Sequence, residues 1–122
     1  MYLSIIIPAY NEERRLQKTL QEIDWYLSRQ SYDYEIIVVN DGSRDKTAQM
    51  VRDLIPGIQN LRLIDNKENH GKGYVVRRGI LEAKGDYRVF TAADNSTSMD
   101  QIEKIWPEFK KGFDVVIGSR DI

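Results

Sequence analysis

The stretch Glu35-Ile36-Ile37-Val38-Val39-Asn40-Asp41-Gly42-Ser43-Arg44-Asp45-Lys46-Thr47 decides the fold. It opens on an unbroken β-branched run and then breaks into polar, turn-forming residues. A run without polar alternation fits a strand buried on both faces, as in a parallel sheet covered by helices. The same grammar recurs along the chain. Leu3–Ile7 is followed by Pro8-Ala9-Tyr10-Asn11-Glu12-Glu13, Tyr87–Thr91 by Ala92-Ala93-Asp94-Asn95-Ser96-Thr97, and Asp114–Ile117 by Gly118-Ser119-Arg120. Leu61-Arg62-Leu63-Ile64 is shorter and alternates, which fits a strand nearer an edge; Asn69-His70-Gly71-Lys72-Gly73 lies downstream of it.

Amphipathic stretches of helical length separate these runs. From Glu12 to Ser28, Leu16, Leu20, Ile23 and Leu27 recur at spacings of four, three and four, one apolar stripe. A second helix is expected from Ser43 through Lys46–Val51, ended by Pro56-Gly57, and a third from Gly73 to Lys84, stopped by Gly85. A fourth is expected from Ser98 through Ile102, Ile105, Trp106 and Phe109 to Gly112, kinked by Pro107. Strands alternating with helices predict an α/β chain: a Rossmann-like three-layer α/β/α domain over residues 1–122, with a mainly parallel sheet of about five strands.

Composition narrows the function classes. At 122 residues, 41% apolar and 30% charged, the chain has the profile of one soluble globular domain. A net charge of −1 argues against a nucleic-acid partner, which would need a clustered basic face. The absence of cysteine excludes disulfides and thiolate metal sites. No apolar run approaches the ~20 residues that span a bilayer, and no basic segment precedes an apolar run at the N-terminus. The expected location is cytoplasmic.

In open parallel sheets, ligands bind at the carboxyl ends of the strands, and that is where the polar motifs cluster. Asp41 there accepts hydrogen bonds from a base N–H or a ribose hydroxyl, or serves as a turn or N-cap residue before the second helix. Glu12 has the same two readings, binding or helix-dipole support. The Gly71-Lys72-Gly73 turn opens a helix and places a cation where a phosphate would bind, without being a Walker A loop or a GxGxxG. Arg120 reaches a phosphate or caps the last strand, and His70, the single histidine, reads as a turn residue. Asp94 projects a single carboxylate from the end of an apolar strand.

The order of these motifs resembles the nucleotide-sugar-binding half of family-2 inverting glycosyltransferases of GT-A fold. The resemblance runs through Ile7–Glu13, Val39–Thr47, Asn69–Gly73, Gly79–Tyr87 and Ile117–Arg120. Within the family it is most similar to the dolichyl-phosphate glucose and mannose synthases, through Gly71–Gly79, the Asp94…Ser96-Thr97 turn and Gly118-Ser119-Arg120. The resemblance implies transfer of a hexose from a UDP- or GDP-sugar to a polyprenyl phosphate at a membrane surface. Pro8, Ala9, Tyr10, Glu12 and Asp41 would line the base and ribose pocket, with Lys72 near the nucleotide and Arg120 near the donor phosphates. Asp94 would be the catalytic carboxylate and, with Ser96, would hold Mg²⁺ or Mn²⁺. Two departures stand out. Ala92 occupies a position where the family pattern, Asp-Ala-Asp, has a carboxylate. The acceptor-binding half is expected to be absent, leaving apolar surface on which a homodimer could form. The alternative is a catalytically silent nucleotide-binding or scaffold module of the same fold. A nucleotidylyltransferase ranks below both, because an Arg/Lys-rich glycine signature near the N-terminus is missing.

Overall fold

The computed structural model describes residues 2–91 and, as backbone, 115–117. The elements in chain order are β1 (Tyr2–Ala9), α1 (Leu16–Leu27), β2 (Asp33–Asp41), α2 (Thr47–Leu54), β3 (Leu61–Asn66), α3 (Lys72–Glu82), β4 (Tyr87–Phe90) and β5 (Val115–Ile117). The strands form one sheet in the order β3-β2-β1-β4-β5, and every neighbouring pair is parallel. β1 therefore lies in the middle, registered against β2 (Ile6 opposite Ile37) and against β4 (Ile6 opposite Phe90).

The unbroken Ile/Val runs follow from two covered faces. Strand side chains alternate, so one half of each run faces each layer. Leu3, Ile5, Ile7, Ile36, Val38 and Val89 pack with the α1 stripe Leu16, Leu20, Ile23 and Leu27 and with Val51 of α2. Ile6, Ile37, Val39, Ile64 and Phe90 pack on the opposite face with Val75 and Ala83 at the two ends of α3. α3 approaches the sheet closely at Gly79, where a Cβ would stand 2.5 Å from a methyl of Ile6. The alternating run at 61–64 is an edge strand, as its pattern implied.

The amino ends of the strands are closed by a buried polar knot. Glu35, 4% exposed, accepts hydrogen bonds from the Ser4 hydroxyl at 2.6 Å, the Lys84 amide at 2.7 Å and the Arg62 guanidinium at 3.1 Å. The Gly85 amide donates to Ser4 Oγ at 2.9 Å. Burial alone would raise the Glu35 carboxyl pKa, but the hydrogen bonds from Ser4 and Lys84 and the charge of Arg62 outweigh it and hold it below the usual range.

Two helix starts differ from the sequence expectation. α1 begins at Leu16, not Glu12, because Asn11 takes a left-handed turn (φ 54°) and the Glu12 carbonyl closes the first turn with the Arg15 and Leu16 amides. α2 begins at Thr47, not near Ser43. The segment between is occupied by contacts to the first loop. The expected helix over 98–112 lies outside the described residues.

Candidate functional site

The site is built at the carboxyl ends of β1, β2 and β4 and at the start of α3. Pro8, Ala9, Tyr10 and Glu12 enter it from β1 and its following loop, Asp41 from the end of β2, and Asn69, Gly71 and Lys72 from the β3–α3 connection. Val75, Phe90 and Thr91 complete the wall, and the space enclosed is about 360 Å³. Six residues expected from sequence to bind nucleotide, Pro8, Ala9, Tyr10, Glu12, Asp41 and Lys72, thus surround one cavity. The other three named residues, Asp94, Ser96 and Arg120, lie outside the described residues, as does Ala92.

Asp41 is 5% exposed, and both carboxylate oxygens accept backbone N–H groups, from His70 at 2.7 Å and Gly71 at 3.0 Å. It is not the N-cap of α2, which has Lys46 there and no side-chain cap bond. Its carboxylate instead fixes the turn into α3. Asn69 adds a bond from its side-chain amide to the Asp41 carbonyl at 3.2 Å. Gly71 sits at φ 93°, a conformation favourable only to glycine, and delivers Lys72 as the first residue of α3. The Lys72 ammonium lies 5.8 Å from the centre of the Phe90 ring, over its face. A cation and the amino end of an eleven-residue helix therefore meet at the cavity wall, an arrangement suited to an anion.

Tyr10 is 43% exposed and lines the site. Glu12 is half-buried: one oxygen pairs with Arg15 at 2.8 Å, while Oε2 is enclosed and has no partner among the described residues. Thr91, whose amide is bonded to the Ile6 carbonyl at 3.0 Å, likewise has an enclosed, unpartnered Oγ1 among the described residues. Unpaired buried oxygens of this kind cost about 1–3 kcal/mol each, and such groups in a cavity wall call for a water, ion or ligand. His70 lies in the β3–α3 connection, with its ring 4.2 Å from that of Tyr74.

Sequence reading missed Asn69, Val75, Phe90 and Thr91 as individual wall residues. Asn69 opens the Asn69–Gly73 motif but carried no role of its own, and Val75, Phe90 and Thr91 have no sequence signal beyond proximity to motif residues.

Residues 4–122 match the sequence pattern described as Glycosyl transferase family 2. The chain belongs to that family. Among curated proteins, the dolichyl-phosphate beta-glucosyltransferase ALG5A of Trichomonas vaginalis is 39% identical over 98% of this chain and 40% of its own length. The chain thus spans about 40% of the length of this and other curated relatives that it matches. Among solved structures, S. aureus TarS 1-349 in complex with UDP-GlcNAc superposes with a TM-score of 0.71 at 24% identity, over 91% of this chain and 32% of that one. The mannosyltransferase PcManGT of Pyrobaculum calidifontis, in complex with GDP-Man and Mn²⁺, superposes with a TM-score of 0.63 at 28% identity, over 75% and 27%. The family-2 chain therefore has the GT-A glycosyltransferase fold, and the cavity lies at the carboxyl edge of its sheet.

Among the described residues of this family-2 chain, no three His, Cys, Asp or Glu side chains gather where a metal ion could be held. No helix among them is long and apolar enough to cross a membrane.

Proposed function

We propose that this chain is the donor-binding part of a glycosyltransferase that passes a hexose from a UDP- or GDP-sugar, with inversion, to a polyprenyl phosphate of dolichyl type. The observation that carries the reading is the convergence of Tyr10, Glu12, Asp41 and Lys72 on one cavity beside the amino end of α3. Its ~360 Å³ is within the range of small-ligand sites. The relatives named for dolichyl-phosphate glucosyl transfer and the nucleotide-sugar complexes of the same fold support it.

The division of labour follows from chemistry. Tyr10 stacks on or edges the base, Pro8 and Ala9 shape its slot, and Glu12 accepts a sugar hydroxyl. Asp41 sets the turn that presents Lys72 to the diphosphate, and Arg120 would supply a second cation for it. The acceptor phosphate, with a second pKa near 6, is largely dianionic at neutral pH and attacks the anomeric carbon as the bond to the diphosphate breaks. It needs no strong base from the protein. The unpartnered oxygens of Glu12 and Thr91, in a wall otherwise lined largely by apolar side chains, are of the hard donor type that Mg²⁺ or Mn²⁺ prefers. Asp94, three residues beyond Thr91, would hold it with help from Ser96, and the bound ion would neutralise charge on the leaving diphosphate. The acceptor places the protein at a membrane surface, peripheral rather than spanning in the region described.

Calorimetry with UDP, GDP and their hexoses, with and without Mn²⁺, tests the reading. Binding of one nucleotide in the micromolar range is expected, and no binding below millimolar by any of them sinks it. A second reading, a silent nucleotide-binding or scaffold module, is favoured by Ala92. Ala92→Asp separates the two: restoring a carboxylate to a working metal site should tighten Mn²⁺-dependent nucleotide binding by ~10-fold or more. The silent module gains nothing.

A further inference from the structure

The β1–α1 loop contains three successive amides, those of Asn11, Glu12 and Glu13, that neither sheet nor helix uses. In an ordinary surface loop they would face water. Here each donates to a side chain of the β2–α2 loop or of the first residue of α2: Asn11 to Ser43 Oγ at 2.9 Å, Glu12 to Thr47 Oγ1 at 2.9 Å, and Glu13 to Asp45 Oδ2 at a longer 3.4 Å. A bond returns from the Arg44 amide to Asn11 Oδ1 at 2.8 Å.

The receiving side chains are themselves fixed. Ser43 donates its hydroxyl to Asn40 Oδ1, and the Thr47 hydroxyl and amide both donate to Asp45 Oδ1. Thr47 is fully buried. Asn11 is held at φ 54°, a turn that L residues avoid unless, as with Asn, a side-chain bond favours it. Its two chain neighbours, Tyr10 and Glu12, both line the cavity, whereas Ser43, Asp45 and Thr47 do not.

We propose that Ser43, Asp45 and Thr47 are positioning residues of the donor site, holding the first loop so that Tyr10 and Glu12 face the bound nucleotide. The inference rests on the cavity being that site. It assigns a role to the alternate polar residues at 43, 45 and 47: they form a comb whose teeth each take one amide. Loss of one tooth frees its amide, loosens the left-handed turn and lets the binding side chains drift, and displacements of about 1 Å are costly to recognition.

The test pairs Thr47→Val, which keeps the shape and removes the hydroxyl, with Thr47→Ser, which restores it. Two measurements are made: calorimetric affinity for UDP and GDP, and amide hydrogen exchange of the nucleotide-free protein. Thr47→Val should weaken binding by ~10-fold and speed exchange at Glu12 by ~10-fold or more while the β1 amides of Ile5–Ile7 keep their protection. Thr47→Ser should return both to within ~3-fold of the unaltered chain. Unchanged affinity in Thr47→Val overturns the proposal. So does a uniform rise of exchange across β1 that Thr47→Ser leaves uncorrected, the mark of a merely structural role. Where Thr47→Val does not fold, the half-exposed Ser43→Ala, read at the Asn11 amide, carries the same two measurements. If the unaltered chain binds neither nucleotide, the donor reading itself fails; the exchange arm needs no nucleotide and keeps that failure apart from a failure of the comb.

Discussion

Gly42→Ala is expected to reduce nucleotide affinity by ~100-fold or more and to lower stability by roughly 3 kcal/mol. Gly42 has φ 71°, and a Cβ built there would stand 2.6 Å from the Asn69 amide nitrogen and 2.6 Å from the Glu68 carbonyl carbon. Both obstacles are backbone, so no side-chain rotation relieves the clash. The left-handed turn alone costs an alanine about 1 kcal/mol, and overpacking adds about 1–3 kcal/mol. Relief requires the β3–α3 connection to move away from β2. That movement separates His70 and Gly71 from the Asp41 carboxylate, so Lys72 leaves the cavity wall. Urea denaturation and calorimetry on the same preparation test both halves. Gly73→Ala is the control: nothing lies within 4 Å of its added methyl, so stability should hold or rise slightly. Undiminished nucleotide binding by Gly42→Ala would remove the link between the second and third loops.

The second large effect lies at the other end of the sheet. Glu35→Gln should cost about 3 kcal/mol at neutral pH, because an acceptor-only carboxylate that satisfies Ser4, Lys84 and Arg62 is exchanged for a group with one acceptor and one donor. The pH dependence has a definite sign. The folded-state pKa of Glu35 is depressed, with hydrogen bonds and Arg62 outweighing burial, so its contribution is present above the unfolded value. It is lost as pH falls through the lower folded value. Acid should therefore erode the stability of the unaltered chain more steeply than that of Glu35→Gln, as read by denaturant midpoints between neutral and strongly acidic pH. Nucleotide affinity should be unchanged in the variant, since this knot is at the amino ends of the strands and the cavity at the carboxyl ends. Parallel acid profiles for the two proteins would refute the assignment.

Residue patterns carried much of this architecture. The Ile/Val runs announced strands covered on both faces, because burial on each side removes the polar alternation of a half-exposed sheet. The alternation at Leu61–Ile64 marked the edge for the converse reason. The 16, 20, 23, 27 stripe marked α1 but not its start. Periodicity cannot register that the amides of residues 11–13 find partners more than thirty positions away. Asp41 was legible as a polar residue at a strand end, but its choice between capping α2 and bracing the turn into α3 is made by tertiary contact. The same holds for Phe90 and Thr91, whose places in the cavity depend on β4 settling beside β1 rather than at an edge.

The central place of β1 also dictates an order of events during synthesis. Its first partner, β2, leaves the ribosome about thirty residues later, but Leu3 meets Tyr87 only after β4 has been made. At translation speeds of about 5–20 residues per second, one flank of an Ile-rich strand waits on the order of ten seconds for its neighbour. Through that interval one flank of β1 lacks its strand partner, a transiently exposed edge of the kind that favours aggregation. Slow codons placed between β2 and β4 would lengthen the exposure, and yields of folded protein should be sensitive to them.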